Sequence, residues 1–144
     1  MAISPVARDH ATAEFFDGTR RGVFLLRRRR STGEYLDPGA MPAPSDEGDL
    51  EYAPAGGDGR VVSWSTPHSK DRATGEPVRT VIGIVELDEG PWWWSQLVDV
   101  DPDDDLADLR VRVDFVASGP DPRDEVVPVF RPVRTDHQTV PEVR

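Results

Sequence analysis

Apolar residues in this chain come in short bursts with a period of two, separated by turn-forming residues, and this predicts strands rather than long helices. Residues 109–116 alternate most regularly. Val111, Val113 and Phe115 share one face, and Arg110, Arg112 and Asp114 share the other, as in a half-buried strand. The densest β-branched run is Val78 to Leu87. Asp88-Glu89-Gly90 then turns the chain, and Trp92 to Val100 returns as the second arm of a hairpin. Arg60 to Thr66 is a further strand, entered through a turn marked by Gly56, Gly57 and Gly59. Val126 to Val133 is the last, and Pro128 and Pro132 place it at a sheet edge.

Before these strands the signal is weaker. Residues 1–10 read as a loose tail. Ala11 to Asp17 reads as a short helix anchored by Phe15 and Phe16 and ended by Gly18. Gly22 to Leu26 is β-compatible and runs into Arg27 to Arg30, and Ser31 to Gly48 has no periodicity and reads as loop. Pro67 to Pro77 reads as a mobile polar loop, and the chain from Thr135 as a polar tail. The expected class is all-β: a small five-stranded barrel of the OB type, with a short N-terminal helix. The expected divisions are a tail and helix over 1–18, a separate segment over 19–52, the barrel over 53–134 and a tail over 135–144.

Composition narrows the chemistry. The 144 residues include 14 prolines and 12 glycines, too much punctuation for a helical bundle. There is no cysteine, so disulfides, thiolate nucleophiles and Cys-ligated metals are excluded. The three histidines lie far apart in sequence. No apolar run is long enough to span a bilayer and no signal core opens the chain, so a cytoplasmic setting is expected. A formal net charge of -10 argues against a nucleic-acid binder, which neutralises phosphates with clustered Lys and Arg.

No local motif supplies a reaction centre. Asp99, Asp101 and Asp103 match alternate positions of a calcium loop, but Asp104 stands where that loop needs glycine and Arg110 where it needs glutamate. Ser63, Ser65 and His68 lack the Gly-x-Ser-x-Gly turn of a hydrolase. Gly56, Gly57 and Gly59 precede a strand and not a helix, so they do not form a phosphate loop. Two features remain unexplained. Trp92-Trp93-Trp94 on a strand must send at least one indole away from the core, and an exposed Trp is a typical interface anchor. The Arg27–Arg30 run could meet phosphate or an acidic patch, although a solvated loop is the simpler reading.

Taken in order, several segments resemble the acyl-CoA-associated OB-fold proteins that carry an N-terminal rubredoxin-like zinc ribbon. These are Phe15-Phe16-Asp17-Gly18, Leu25-Leu26-Arg27, Val61-Val62-Ser63-Trp64-Ser65, Ile84 to Gly90, Leu97-Val98, Val111 to Phe115, and Pro128-Val129-Phe130-Arg131-Pro132. The ribbon of that family carries two Cys-x-x-Cys knuckles. The corresponding positions here are Arg29 and Thr32, and Ala43 and Asp46, so the resemblance implies that the segment over 19–52 is a degenerate zinc ribbon, and no zinc is expected. Residues 28–48 are therefore expected to be irregular.

The resemblance implies a non-catalytic accessory subunit, paired with a thiolase or a lipid-transfer-protein-type aldolase that acts on acyl-CoA thioesters. Retro-aldol cleavage of steroid side-chain thioesters is one such reaction. The coenzyme A thioester would be held in the complex, with no cofactor bound by this chain directly. Trp92, Trp93, Trp94, Phe130, Arg131, Arg28 and Arg29 are the candidate partner- or ligand-binding residues. Two other readings compete: an OB-fold that binds single-stranded nucleic acid, and an independent small enzyme of thioester or polyketide metabolism.

Overall fold

The computed structural model describes residues 5–133. The tail expected from Thr135 lies outside the described residues. Helix α1 (Ala13–Arg20) leads into β1 (Phe24–Arg29), which pairs antiparallel with β2 (Leu50–Ala55) as a two-stranded ribbon. The chain then enters β3 (Asp58–Ser65), a small hairpin of β4 (His68–Lys70) and β5 (Pro77–Arg79), and the strands β6 (Val81–Leu87), β7 (Trp92–Leu97), β8 (Arg110–Ala117) and β9 (Val126–Pro132). Five of these close a barrel in the order β3-β6-β7-β9-β8. The fold is thus mostly β: an OB-type five-stranded barrel with one short N-terminal helix.

The helix runs past the glycine expected to end it. Gly18 is helical because Leu25 packs onto it; a Cβ there would lie 2.7 Å from Leu25 Cδ1. The helix stops at Arg20, and Gly22 takes φ +74° just beyond. Thr19 is buried, and its hydroxyl donates to Val126 O at 2.7 Å, which ties the helix to β9. The N-terminal segment is not loose from residue 5 onward. Val6 N donates to Ser118 Oγ, Glu125 N donates to Val6 O, and Arg8 forks onto the Glu125 carboxylate at 2.7 and 3.1 Å. Arg20 Nε reaches the same carboxylate at 3.1 Å. Two guanidinium groups on one buried carboxylate thus clamp the start of the chain and the helix to the β8–β9 turn.

The ribbon departs furthest from the expected irregular segment. The strand continues through the basic run to Arg29, and β2 pairs with all of it, Phe24 opposite Ala55 and Arg29 opposite Leu50. The polar loop at 67–77 likewise contains a short strand pair, and the long strand expected from Val78 breaks at Thr80 into β5 and β6.

Inside the barrel the period of two is obeyed with one interruption. Val81, Val85 and Leu87 point inward from β6, and Val111 from β8. In β3 a bulge between Val61 and Ser63 resets the parity, so Val61 and Trp64 both face the core. Leu106, in the loop between β7 and β8, is turned into the core as well. Gly57 enters β3 at φ +83°, where any Cβ would overlap Val113.

The last strand is not at an edge: β9 lies between β7 and β8. Its prolines are tolerated because of how they face. Phe130 O accepts from Val98 N on the β7 side, and Pro128 and Pro132 share the parity of Phe130. On that side the pairing is one parallel bridge, Leu97 to Phe130, so the missing proline N–H groups cost no ladder bonds. Ser95 Oγ, which donates to Pro128 O at 3.1 Å, completes the contact.

Phe130 is fully buried where the strands meet the ribbon, with its ring 6.0 Å from that of Phe24. Phe130→Ala is expected to cost about 3–5 kcal/mol of unfolding free energy, measured by urea denaturation. A loss below about 1 kcal/mol would show that this ring is not central to the core.

Candidate functional site

The tryptophan triplet divides as a strand must divide it. Trp92 and Trp94 lie on the outer face of β7 and are 46% and 71% exposed, beside Ile82 of β6, which is 38% exposed. Trp93 points the other way. It stacks on Phe15 at 5.6 Å and takes the edge of Phe24 at 4.9 Å, so it joins helix, ribbon and barrel. The outer stripe is the main exposed apolar feature among the described residues. Trp92 N donates to Asp37 Oδ1 at 2.8 Å, which brings the ribbon loop alongside the stripe. Between them runs an open groove of about 650 Å³, with Asp37, Pro38 and Gly39 on one side and Gly90 and the tryptophans on the other. Sequence reasoning found the tryptophans and missed Asp37 and Pro38, because an aperiodic loop carries no signal of where it will lie.

Beside the groove is a smaller slot of about 260 Å³ between α1, the ribbon and the barrel. Its walls are Phe15, Phe16, Leu25, Leu36, Tyr52 and Trp93, and Arg27 and Pro38 also border it. Pro38 and Trp93 belong to both hollows.

Arg28 and Arg29, expected as surface for a partner, are already paired within the ribbon. Arg28 Nη2 meets Glu51 at 2.5 Å, and Arg30 shares that carboxylate at 3.2 Å. Arg29 Nε meets Asp46 Oδ1 at 2.8 Å, and its Nη1 meets Glu34 at 2.5 Å. Asp46 is buried, and its other oxygen accepts from Ala43 N at 2.9 Å. Arg29, Ala43 and Asp46 are three of the four positions that correspond to the knuckles of a zinc ribbon. An ion pair and a backbone hydrogen bond join them here, which explains why the segment is ordered. The Arg29 guanidinium holds the Asp46 carboxyl below the usual carboxylate range, and the Arg28 guanidinium does the same to Glu51. Arg8, followed by Arg20, holds Glu125 down against the opposing effect of burial.

Of the two further expected surface residues, Phe130 is the one the structure overturns. Phe130 is sealed in the core and offers no surface. Arg131 is half-buried and reaches the surface already bonded to Asp99 and to Asp114, the latter at 2.8 Å, so it also braces β9. The acidic run is used locally. Asp99 and Asp108 take positive φ, Asp101 and Asp105 accept from backbone N–H groups two residues on, and Asp103 pairs with Arg79 at 2.6 Å. Among the described residues no group of three or more His, Asp or Glu side chains could hold a metal ion. No helix there is long and apolar enough to cross a membrane.

Barrel order, ribbon and helix define the class: a small OB-fold domain whose exposed aromatics lie on one sheet face. The comparisons sharpen this. Residues 52–116 match the family model described as ChsH2, C-terminal OB-fold domain. Across nearly its whole length the chain is similar to a chain of the solved Ltp2-ChsH2(DUF35) aldolase, with 26% identity and a TM-score of 0.71 over 88% of this chain and 98% of that one. No curated protein matches in sequence. The resemblance to acyl-CoA-associated OB-fold proteins therefore holds in both sequence and fold.

Trp94→Ala is expected to leave stability within about 0.5 kcal/mol of wild type, whereas Trp93→Ala costs about 3 kcal/mol. Urea unfolding of the two variants distinguishes them, and equal losses would contradict the inward and outward assignment. A second expectation concerns pH. Asp46, Glu51 and Glu125 all have lowered folded-state values, so their contribution is complete above the unfolded values of about 3.9 and 4.3 and is lost as pH falls below them. Thermal melts are expected to hold steady down to about pH 4.5 and then to fall. In the Asp46→Asn, Glu125→Gln double variant the fall is shallower. An unchanged slope would show that these carboxylates do not govern the acid limb.

Proposed function

We propose that this chain is a non-catalytic accessory subunit that docks the outer face of β6 and β7 against a thiolase-fold enzyme acting on acyl-CoA thioesters. The observation that carries the reading is the Trp92, Trp94 and Ile82 stripe, a cluster of large apolar side chains left uncovered on one sheet face. Desolvated tryptophans are strong interface anchors, and the similarity to a chain of the Ltp2-ChsH2(DUF35) aldolase supports an aldolase as the partner. The partner is of the lipid-transfer-protein type, with a true thiolase as the alternative, and retro-aldol cleavage of a steroid side-chain thioester is the reaction class. The reacting groups belong to that partner, the coenzyme A thioester is held in the complex, and the setting is cytoplasmic.

A second reading has one observation in its favour. The strand pair that carries the tryptophans, β6 and β7, forms the second and third strands of the barrel, the face on which OB-folds bind oligonucleotides. The net charge of -10 opposes it.

Co-expression with a thiolase-fold protein of the lipid-transfer-protein aldolase type is the test. The two chains are expected to co-elute on size-exclusion chromatography, and acyl-CoA turnover is expected only from the complex. The Trp92→Ala, Trp94→Ala double variant should weaken association at least about tenfold without unfolding the barrel. Turnover by the isolated chain, salt-dependent binding to a single-stranded oligonucleotide, or no association would each overturn the proposal.

A further inference from the structure

We propose that the slot between helix, ribbon and barrel is a binding site for a small amphipathic carboxylate, with its aliphatic tail among the aromatic walls and its head on Arg27. Three observations meet there. First, the walls are almost wholly apolar: Phe15, Phe16, Leu25, Leu36 and Trp93 leave a hollow of about 260 Å³, close to the lower limit of small-molecule sites. The chain's own aromatic packing surrounds this space without filling it.

Second, Arg27 borders the slot with bonding capacity to spare. Its Nη2 donates to Ala40 O at 2.9 Å and to Pro38 O at 3.4 Å. These two carbonyls fix the guanidinium beside Pro38, itself part of the slot wall, and among the described residues its hydrogen bonds are made by Nη2, leaving Nε and Nη1 without a protein acceptor. Third, the pattern of charge pairing singles this group out. Arg8, Arg28, Arg29, Arg60 and Arg131 are half-buried and each meets at least one carboxylate. Arg27 is the half-buried arginine that meets none among the described residues. On its other side Arg27 lines a separate hollow with Glu14 and Glu51, and Glu51 is already shared by Arg28 and Arg30. In an acidic chain that pairs its half-buried cations so consistently, a positioned, unpaired guanidinium at the edge of an apolar hollow fits an anionic head joined to an apolar tail.

This site adjoins the tryptophan groove, sharing Pro38 and Trp93 with it, but does not rest on the proposed function. Its test accordingly uses the isolated chain. Calorimetric titration with octanoate is expected to show one site per chain, and octan-1-ol, with the same tail and no charge, is expected to bind more weakly. Arg27→Gln should weaken octanoate about tenfold and leave octanol unchanged, and Arg27→Lys should restore part of the loss. Thr12→Phe, which places a ring at the slot wall, should weaken both ligands, with thermal melts confirming that each variant is folded. Equal binding of acid and alcohol, binding unaffected by either substitution, or no binding to the wild-type chain would each overturn the assignment.

Discussion

Four aromatic rings hold two otherwise weak pieces of this chain to its barrel. Phe15 stacks on Trp93, Trp93 meets the edge of Phe24, and Phe24 meets the edge of Phe130. One ring comes from an eight-residue helix, one from a two-stranded ribbon and two from the barrel. An isolated helix of that length is not stable in water, and neither is an isolated two-stranded ribbon. Both owe their order to docking, and the rings are where they dock. The same contact decides what is exposed. Once Trp93 is committed inward, the period of a strand turns Trp92 and Trp94 outward, so the exposed stripe follows from the way the ribbon is attached.

Charge does within the ribbon what metal does in a cysteine-bearing one. A zinc site draws distant knuckles to one point and contributes folding energy directly. Here Arg29 bridges Glu34 and the buried Asp46, and Arg28 and Arg30 converge on Glu51. These pairs are individually modest and partly open to solvent, but they are arranged as a network around one strand. The basic run is therefore strand through Arg29 and not a solvated loop. Its residues take alternate sides of β1, and their partners lie on β2 and the connecting loop.

Much of the barrel was legible in the sequence because alternation survives there: Val111 and Val113 against Arg110 and Arg112, and the β-branched run ending at Leu87. The split of Trp92 and Trp94 from Trp93 was legible for the same reason. What was not legible depends on contacts distant in the chain. Gly18 reads as a helix stop until Leu25 is known to lie on it, and Pro128 reads as an edge marker until its side of β9 is seen to have little ladder to lose. Asp46 and Glu125 look like ordinary surface acids, and only pairing with Arg29, and with Arg8 and Arg20, explains their burial. The segment from Ser31 to Gly48 has no period to read, so the half of the groove formed by Asp37 and Pro38 could not be anticipated.

The exposed stripe and the acidic charge belong to one argument. A barrel presenting two indoles and an isoleucine on one sheet face carries an aggregation liability when alone, and strong net charge of one sign opposes self-association. The same charge disfavours polyanions as occupants of the face and favours a partner whose rim is basic. Close to the stripe, Asp37 accepts from Trp92 N, and Glu86 lies within reach of the Trp92 indole N–H at 3.4 Å. An apolar centre with acidic groups at its margin matches the layout of a protein interface, dry in the middle and polar at the rim. A nucleic-acid platform requires positive charge at that margin; Glu86 is itself paired with Arg60 at 2.7 Å, so Asp37 and the net charge of -10 are what weigh against that use.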